Sequence, residues 1–236
     1  MNKHHYVAIL AGGIGSRFWP KSRAAFPKQF LDILQTGKTL IQQTFERYTR
    51  FIPVDNIYII TSKEYVSLVK DQLPDMNENN ILAEPSRKNT APCVAFISYK
   101  LFEKDPESQI IIAPSDHIVM EPEAFQKAAL KGLQFAQHMK ALVTLGIKPT
   151  YPNTGYGYIQ HETLPVAEQV YQVKTFTEKP NLELAKTFIS SGDFLWNAGV
   201  FMWSSKDLIK AFEMYEPEMS ELFIAEKQHF NTKEEN

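Results

Sequence analysis

The stretch YVAILAGGIGSRFWPKSRAAFPKQF occupies residues 6–30. Its first five residues are apolar, which is typical of a parallel strand buried on both faces. Three glycines follow at once, in a chain that has only 10 glycines among 236 residues. Because glycines let backbone N–H groups approach a phosphate without side-chain obstruction, the stretch predicts an anion-binding loop after a buried strand. Four cations lie beyond the glycines, namely Arg17, Lys21, Arg23 and Lys28, and of these Arg17 and Lys28 could neutralise the phosphate charge.

The alternative for this loop is a tight turn followed by solvated cations. Two standard phosphate-binding patterns do not fit it. Phe18 stands where the third glycine of G-x-G-x-x-G would be, and Asp32 stands where the first glycine of a Walker A loop around GKT (37–39) would be.

Strand-like and helix-like segments alternate along the first 147 residues. Thr61 followed by Glu64 has the pattern of a capping box and predicts a helix start. The alternation predicts an α/β fold with a mostly parallel, doubly wound sheet. The predicted strands are 6–10, 56–61, 80–85, 109–114 and 141–147, and the predicted helices are 39–51, 61–73, 90–104 and 122–137.

Beyond residue 150 the pattern changes to strands separated by turns and one helix, in GYGYIQ, VYQVKTFTEKP, NLELAKTFISS and NAGVFMW. This indicates an added antiparallel or mixed part. We therefore expect a first part over about residues 1–148 and a second over about residues 149–226.

Composition bounds the class of protein. Hydrophobic residues make up 44% and charged residues 22%, as in soluble globular domains. The net charge of −2 argues against nucleic acid or an anionic membrane as a partner. A single cysteine, Cys93, permits no intramolecular disulfide and suits a reducing cytoplasm, where we expect the protein. We interpret Cys93 as a small core residue. The sequence leaves open whether the protein forms a homo-oligomer.

Polar residues gather where predicted strands end, which is where α/β sheets bind ligands. EPSRKNTAP follows the third strand and PSDH the fourth. Asp116 in the latter offers carboxylate oxygens, which Mg²⁺ prefers. A turn or helix-capping aspartate is the alternative.

In the second part, Glu178 and Lys179 are adjacent in FTEKP, so on a strand their side chains would point to opposite faces. They would then contact different parts of a ligand, or form a solvated charge pair. Asn197 lies between apolar residues of WNAGVF and would be either a core amide or a ligand contact.

These motifs together resemble a known family. Residues 11–30 resemble the signature G-G-x-G-[ST]-R-x-x-P-x-x-x-x-x-P-K of the sugar-1-phosphate nucleotidylyltransferases. The Phe18-Trp19-Pro20 variant, the KQF ending, EPSRKNTAP, PSDH, TGYGYI, FTEKP and WNAGVF follow in the order typical of the guanylyltransferases that act on mannose 1-phosphate. The resemblance spans Tyr6 to about Glu226.

The resemblance implies a Rossmann-like nucleotide-diphospho-sugar transferase fold with an added sugar-binding part. It implies GTP and mannose 1-phosphate as substrates, GDP-mannose and pyrophosphate as products, and Mg²⁺ as cofactor, bound by Asp116. The implied catalytic residues are Arg17, Lys28, Asp116 and Lys179. The implied nucleotide contacts are Ala11, Gly12, Gly13, Gly15, Ser16, Glu84, Asn89, Thr90 and Ser115. The implied sugar contacts are Gly157, Glu178 and Asn197.

The family's longer members continue with a second metal-binding aspartate, in a segment like I-D-Y-x-V-M-E-K, and with a C-terminal portion. Residues 227–236 do not match that segment. We therefore expect either that Asp116 suffices or that this is a truncated form. The alternatives are an enzyme for another sugar or base, and a weakly active or inactive protein that binds a nucleotide sugar.

Overall fold

The computed structural model describes residues 1–15, 18–84 and 90–232. The chain forms two compact units. The first comprises Met1–Val143 and Phe201–Asn236, and the second comprises Thr144–Val200.

Four parallel strands form the centre of the first unit. They are β1 (His5–Leu10), β2 (Ile57–Ser62), β3 (Ile81–Glu84) and β4 (Gln109–Pro114). β1 pairs with β2 on one side and with β4 on the other, and β3 pairs with β2. The strand order is therefore β3-β2-β1-β4, and it reverses between β1 and β4. Residues that follow β1 and β4 lie at this reversal, where open α/β sheets bind ligands.

Within the described residues, the first unit contains six α-helices. They are α1 (Leu40–Thr49), α2 (Val66–Gln72), α3 (Thr90–Lys104), α4 (Pro122–Met139), α6 (Ser205–Tyr215) and α7 (Pro217–Ala225). Residues of α3 and α6 share one apolar cluster with Tyr6 and Ala8 of β1. Phe201 and Trp203 also pack into that cluster, whereas Met202 between them points to the other face and lies against Gly132 of α4. Helices therefore cover both faces, as expected for a doubly wound sheet.

The second unit is built from antiparallel strands and one helix. Its elements are β5 (Val143–Ile147), β6 (Gly157–Ala167), β7 (Val170–Glu178), α5 (Leu182–Ser191) and β8 (Phe194–Ser204). β6 pairs with β7 and with the first residues of β8. Its core consists of Tyr158, Ala185, Phe188, Phe194 and Trp196. The side-chain amide of Asn181 caps α5 by accepting from the Leu184 N–H at 2.9 Å.

The α/β fold class with a mostly parallel, doubly wound sheet and an added antiparallel part is confirmed. The bounds of the second part differ from the predicted ones. The second unit is Thr144–Val200, whereas the sequence predicted about residues 149–226. Residues 201–204 of β8 pair with β4, and α6 and α7 pack against α3, so the C-terminal region returns to the first unit. Over the described residues, the helices are too short or too polar to cross a membrane.

The predicted helix start at Thr61 is wrong. Thr61 is a fully buried residue of β2, and α2 begins only at Val66 after a short 3-10 turn. The strand pairing of β2 with β3 extends through Thr61, which overrides the local capping pattern.

Candidate functional site

The backbone of the glycine-rich loop is held from inside the protein. The Ala11 N–H donates to the Ile60 carbonyl at 2.8 Å, which continues the β1–β2 ladder by one residue. The Ala11 carbonyl accepts from the Thr61 hydroxyl at 3.0 Å and from the Gln29 side-chain amide at 2.9 Å. The same Gln29 nitrogen also donates to the Gly13 carbonyl at 2.9 Å. Gln29 is only 2% exposed, so it fixes the path of this loop from the protein interior.

Gly15 is a position where glycine is required. Its φ of +61° lies in the left-handed region that residues with a Cβ rarely adopt. A Cβ there would also lie 2.5 Å from Ser22 Oγ and 2.9 Å from Lys28 Cγ. The glycine therefore lets the loop pass directly against the Lys28 side chain.

Lys28 is the cation that the structure brings to this loop. It begins a 3-10 turn (Lys28–Phe30), and its ammonium forms an ion pair with the Asp116 carboxylate. The side chains are 30% and 19% exposed, so both charged ends remain accessible from solvent. The ammonium also lies 5.5 Å from the centre of the Phe18 ring. The sequence predicted Lys28 and Asp116 separately, and the structure places them in contact.

The turn that carries Asp116 is tied to β1 and to α1. The Ser115 N–H donates to the Leu10 carbonyl at 3.2 Å. The Thr44 hydroxyl donates to the Ser115 carbonyl at 3.1 Å, and the Arg47 guanidinium donates to the His117 carbonyl at 2.7 Å. Asp116 is thus held between two anchored neighbours.

His117 adds no positive charge to this turn near neutral pH. Burial lowers the pKa of its imidazole, and the nearby charges of Arg47 and Lys28 act in the same direction against the opposing Asp116. Lys28 and Arg47, by contrast, bring positive charge to this turn.

Glu84 ends β3 and lies beside the glycine-rich loop. Its Oε2 would be 3.4 Å from a Cβ on Gly12, and its Oε1 accepts from the Cys93 thiol at 2.5 Å. Burial and this carboxylate raise the pKa of Cys93 to about 12. The thiol stays protonated at neutral pH and donates to Glu84, in agreement with its interpretation as a packed residue of α3.

The three predicted sugar contacts lie together in the second unit. Gly157 of β6 is in register with Glu178 of β7. A Cβ on Gly157 would lie 2.7 Å from Glu178 Oε2 and 3.5 Å from the Cβ of Asn197. Asn197 Oδ1 accepts from the Gly199 N–H at 2.9 Å and from the Thr144 hydroxyl at 3.4 Å, which fixes the amide plane. Glycine at position 157 therefore lets the Glu178 carboxylate lie directly against the backbone of β6, with Asn197 beside it.

The expectation that Glu178 and Lys179 point to opposite faces is wrong. Strand β7 ends at Glu178, and Lys179 has a φ of +45°, so its side chain does not continue the strand alternation. The Lys179 ammonium forms an ion pair with the Glu178 carboxylate, and both side chains are about half exposed or more. The structure thus shows the charge pair that the sequence offered as the alternative.

The structure places the other predicted residues as follows. Ala11, Gly12, Gly13, Gly15 and Ser115 surround the ends of β1 and β4, and Thr90 begins α3. Ser16, Arg17 and Asn89 lie outside the described residues. The joint role of Arg17 and Lys28 on one ligand stays a prediction.

Sequence reasoning missed Gln29, Thr44 and Arg47 as residues that support the site. In the sequence, Gln29 stands within the KQF ending and Thr44 within the predicted helix 39–51, and neither pattern indicates a supporting role. A polar residue predicted to be buried is the signal that would have identified them, since buried polar groups must find partners.

Comparison with known proteins gives a consistent result. The family described as Nucleotidyl transferase matches residues 6–233. Mannose-1-phosphate guanylyltransferases of Escherichia coli K12 and Klebsiella pneumoniae are 35% and 36% identical over 221 and 217 residues. These matches cover 91% and 90% of this chain but only 46% and 45% of the relatives. The chain therefore spans under half the length of these curated relatives.

Solved structures resemble the fold along almost the whole chain. A Thermus thermophilus protein described as a mannose-1-phosphate geranyltransferase superposes with a TM-score of 0.87 at 30% identity, covering 98% of this chain and 66% of that one. A UDP-glucose pyrophosphorylase complexed with UDP-glucose has a TM-score of 0.57 at 18% identity, covering 86% of this chain and 76% of that one, and supports the fold alone.

Replacing Gln29 by Met tests whether the Gln29 side-chain amide stabilises the glycine-rich loop. The change removes two hydrogen bonds, each contributing about 0.5–1.5 kcal/mol, or about 1–3 kcal/mol together, while the Ala11 carbonyl keeps the Thr61 hydroxyl as a donor. We expect the free energy of unfolding in urea to fall by that amount. Gln137→Met on the exposed face of α4 is the matched control and should change it by under about 0.5 kcal/mol. Equal stability of both variants would contradict this role of Gln29.

Proposed function

Because the chain belongs to the nucleotidyl transferase family, we propose that it transfers a guanylyl group from GTP to α-D-mannose 1-phosphate, forming GDP-mannose and pyrophosphate. The observation that carries this proposal is the Lys28–Asp116 ion pair beside a glycine-rich loop, at the point where the strand order reverses. The substrates follow from the relatives, whose names specify guanylyl transfer to mannose 1-phosphate.

The proposed reaction is an in-line displacement at the α-phosphorus of GTP. A phosphate oxygen of mannose 1-phosphate forms the new P–O bond, and the bond to the β-phosphate breaks with its electron pair leaving on pyrophosphate. In such transfers the protein chiefly positions the two substrates and neutralises the charge of their phosphates. Backbone N–H groups of Gly12, Gly13 and Gly15 would contact the nucleotide phosphates, and Arg17 would stabilise the departing pyrophosphate.

Lys28 is suited to bind the phosphates because its present partner is exchangeable. A partly exposed Lys–Asp pair is worth little in free energy, since solvent screens it. A triphosphate carries more charge than one carboxylate and would attract the ammonium away from Asp116. The Asp116 oxygens would then be available to a cation that arrives with the nucleotide.

The residues present fit Mg²⁺ held jointly by protein and substrate. Mg²⁺ is usually bound by one or two carboxylates plus substrate phosphates. Asp116 supplies such a carboxylate, while the described ranges contain no group of three or more His, Cys, Asp or Glu that would hold an ion alone. When bound, Mg²⁺ supplies further neutralisation of phosphate charge.

The remaining contacts divide between base and sugar. We assign guanine and ribose binding to Glu84, Asn89 and Thr90, with the Glu84 carboxylate as an acceptor for base N–H groups. Ala11 supports the loop instead, because its N–H and carbonyl are bonded inside the protein. Gly157, Glu178 and Asn197 would bind the mannose hydroxyls, since carboxylate and amide groups suit that chemistry. Lys179 would exchange its partner Glu178 for the sugar phosphate.

A pyrophosphate-release assay tests the proposed function. Purified protein with Mg²⁺ is given GTP, ATP, UTP or dTTP together with mannose 1-phosphate or another sugar 1-phosphate. We expect GTP with mannose 1-phosphate to exceed every other pair by about tenfold or more. A different preferred pair would identify another sugar or base. Calorimetric binding of GDP-mannose without any release would instead support a binding protein and contradict the proposed activity.

Replacing Lys28 by Ala should lower kcat/KM by about 10²-fold or more, on the order of 3 kcal/mol of transition-state stabilisation. The reason is loss of the cation that faces both the loop and Asp116. Lys21→Ala, an exposed cation of the same segment, is the matched control and should stay within about twofold. Unchanged turnover in Lys28→Ala would remove Lys28 from this role.

Replacing Glu178 by Gln should raise KM for mannose 1-phosphate by about tenfold, while KM for GTP changes little. Glu162→Gln is a suitable control, because Glu162 is also a carboxylate of this hairpin and pairs with Lys174 at 3.2 Å. Steady-state pyrophosphate release with each substrate varied in turn measures both constants. An equal rise in both KM values, or none, would contradict sugar binding by Glu178.

A further inference from the structure

The turn after β4 is anchored on both sides of Asp116, and two of these anchors come from α1. Thr44 and Arg47 are three positions apart, so they project from the same face of the helix. Their side chains donate to the carbonyls of Ser115 and His117, at 3.1 and 2.7 Å. These two carbonyls belong to the residues on either side of Asp116.

Both anchors are buried. Thr44 is 0% and Arg47 8% exposed. A buried hydroxyl or guanidinium must find a partner inside the protein, so these contacts are not optional surface contacts. The Arg47 guanidinium also lies 5.6 Å from the centre of the Phe125 ring of α4, which restricts it from a second side.

The hydrogen bonds end on main-chain atoms, so they restrict the backbone of the turn rather than the carboxylate. With the Ser115 N–H also bonded to the Leu10 carbonyl, the turn is fixed to β1 and α1 together. The Asp116 side chain then has a defined origin but remains accessible, and Lys28 reaches it. A carboxylate held in this way loses less conformational freedom when it binds a cation.

We propose that Thr44 and Arg47 are positioning residues that fix the turn carrying Asp116, and so set the affinity of the site for a divalent cation brought by the nucleotide. This inference rests on the proposed function, because it takes Asp116 as the cation ligand. It gives α1 a part in the site, although Thr44 and Arg47 bond the carbonyls of Ser115 and His117 and the Asp116 carboxylate pairs with Lys28. A substitution at Thr44 or Arg47 should therefore weaken binding of the divalent cation without altering nucleotide binding in the absence of metal.

Thr44→Val is the sharpest test, since it removes the hydroxyl and keeps the shape. Mn²⁺ binding in the presence of GTP is measured by electron paramagnetic resonance, and GTP binding in EDTA is measured by calorimetry. We expect Thr44→Val to raise the dissociation constant for Mn²⁺ about fivefold to tenfold and to leave metal-free GTP binding within about twofold. Thr44→Ser, which restores the hydroxyl, should recover most of the Mn²⁺ affinity.

Two further variants separate positioning from a general loss of structure. Thr49→Val removes a hydroxyl from the same helix that donates only to the Glu46 carbonyl, and should leave Mn²⁺ affinity unchanged. Arg47→Lys keeps the charge with a different donor geometry and should weaken Mn²⁺ binding in the same direction as Thr44→Val. Circular dichroism and urea unfolding establish the folded fraction, to which all binding is normalised.

The outcomes distinguish the inference from the function on which it rests. If wild type binds Mn²⁺ with GTP and releases pyrophosphate, but Thr44→Val and Arg47→Lys bind Mn²⁺ equally well, the positioning role is wrong. Equal weakening of Mn²⁺ binding and metal-free GTP binding would also contradict it. If wild type shows neither Mn²⁺ binding with GTP nor pyrophosphate release, the proposed function is wrong and this inference falls with it.

Discussion

The site of the first unit depends on the parallel, in-register pairing of β1 with β4. Six consecutive pairs, from His5 with Gln109 to Leu10 with Pro114, bring the two strand ends level. The chain then leaves β1 as a glycine-rich loop and leaves β4 as the turn of Asp116. A shift of register by one residue would turn every side chain of a strand to the other face and separate these ends. Close packing of the apolar side chains on both faces of these strands disfavours such a shift.

Charge is arranged locally in a chain that is nearly neutral overall. The net charge of −2 gives no long-range attraction for an anion. Lys28 and the buried Arg47 nevertheless both lie close to the turn of Asp116. An anion that reaches the loop would therefore meet positive charge there.

Much of the fold could be predicted because the relevant signals are local. Buried strands such as β4 and the helix α3 begin and end where the pattern of apolar residues indicates. The strand end at Asp116 was likewise predicted from sequence, because residues that follow buried strands share one edge of a sheet. The start of α2 was predicted wrongly, since the Thr61 hydroxyl donates across the sheet to Ala11 instead of capping a helix.

The roles of the supporting residues could not be predicted, because their contacts join positions that are far apart in the sequence. Gln29 is 18 positions from Ala11, and Thr44 is 71 positions from Ser115. A buried polar side chain can be suspected from sequence, but its partner cannot. The partners here are main-chain carbonyls, which every residue has, so no sequence pattern identifies the accepting residue. Only the folded arrangement shows which carbonyl lies within reach of which buried donor.

The loop and the turn share one principle of construction. Gln29 and Thr61 hold the loop through its carbonyls, and α1 holds the turn through its carbonyls. The charged side chains, Lys28 and Asp116, are not used for support and keep part of their surface in solvent. The proposed exchange of this ion pair for phosphate and cation would require a rigid backbone and side chains that can change partners. Anchoring by main-chain hydrogen bonds satisfies both requirements at once.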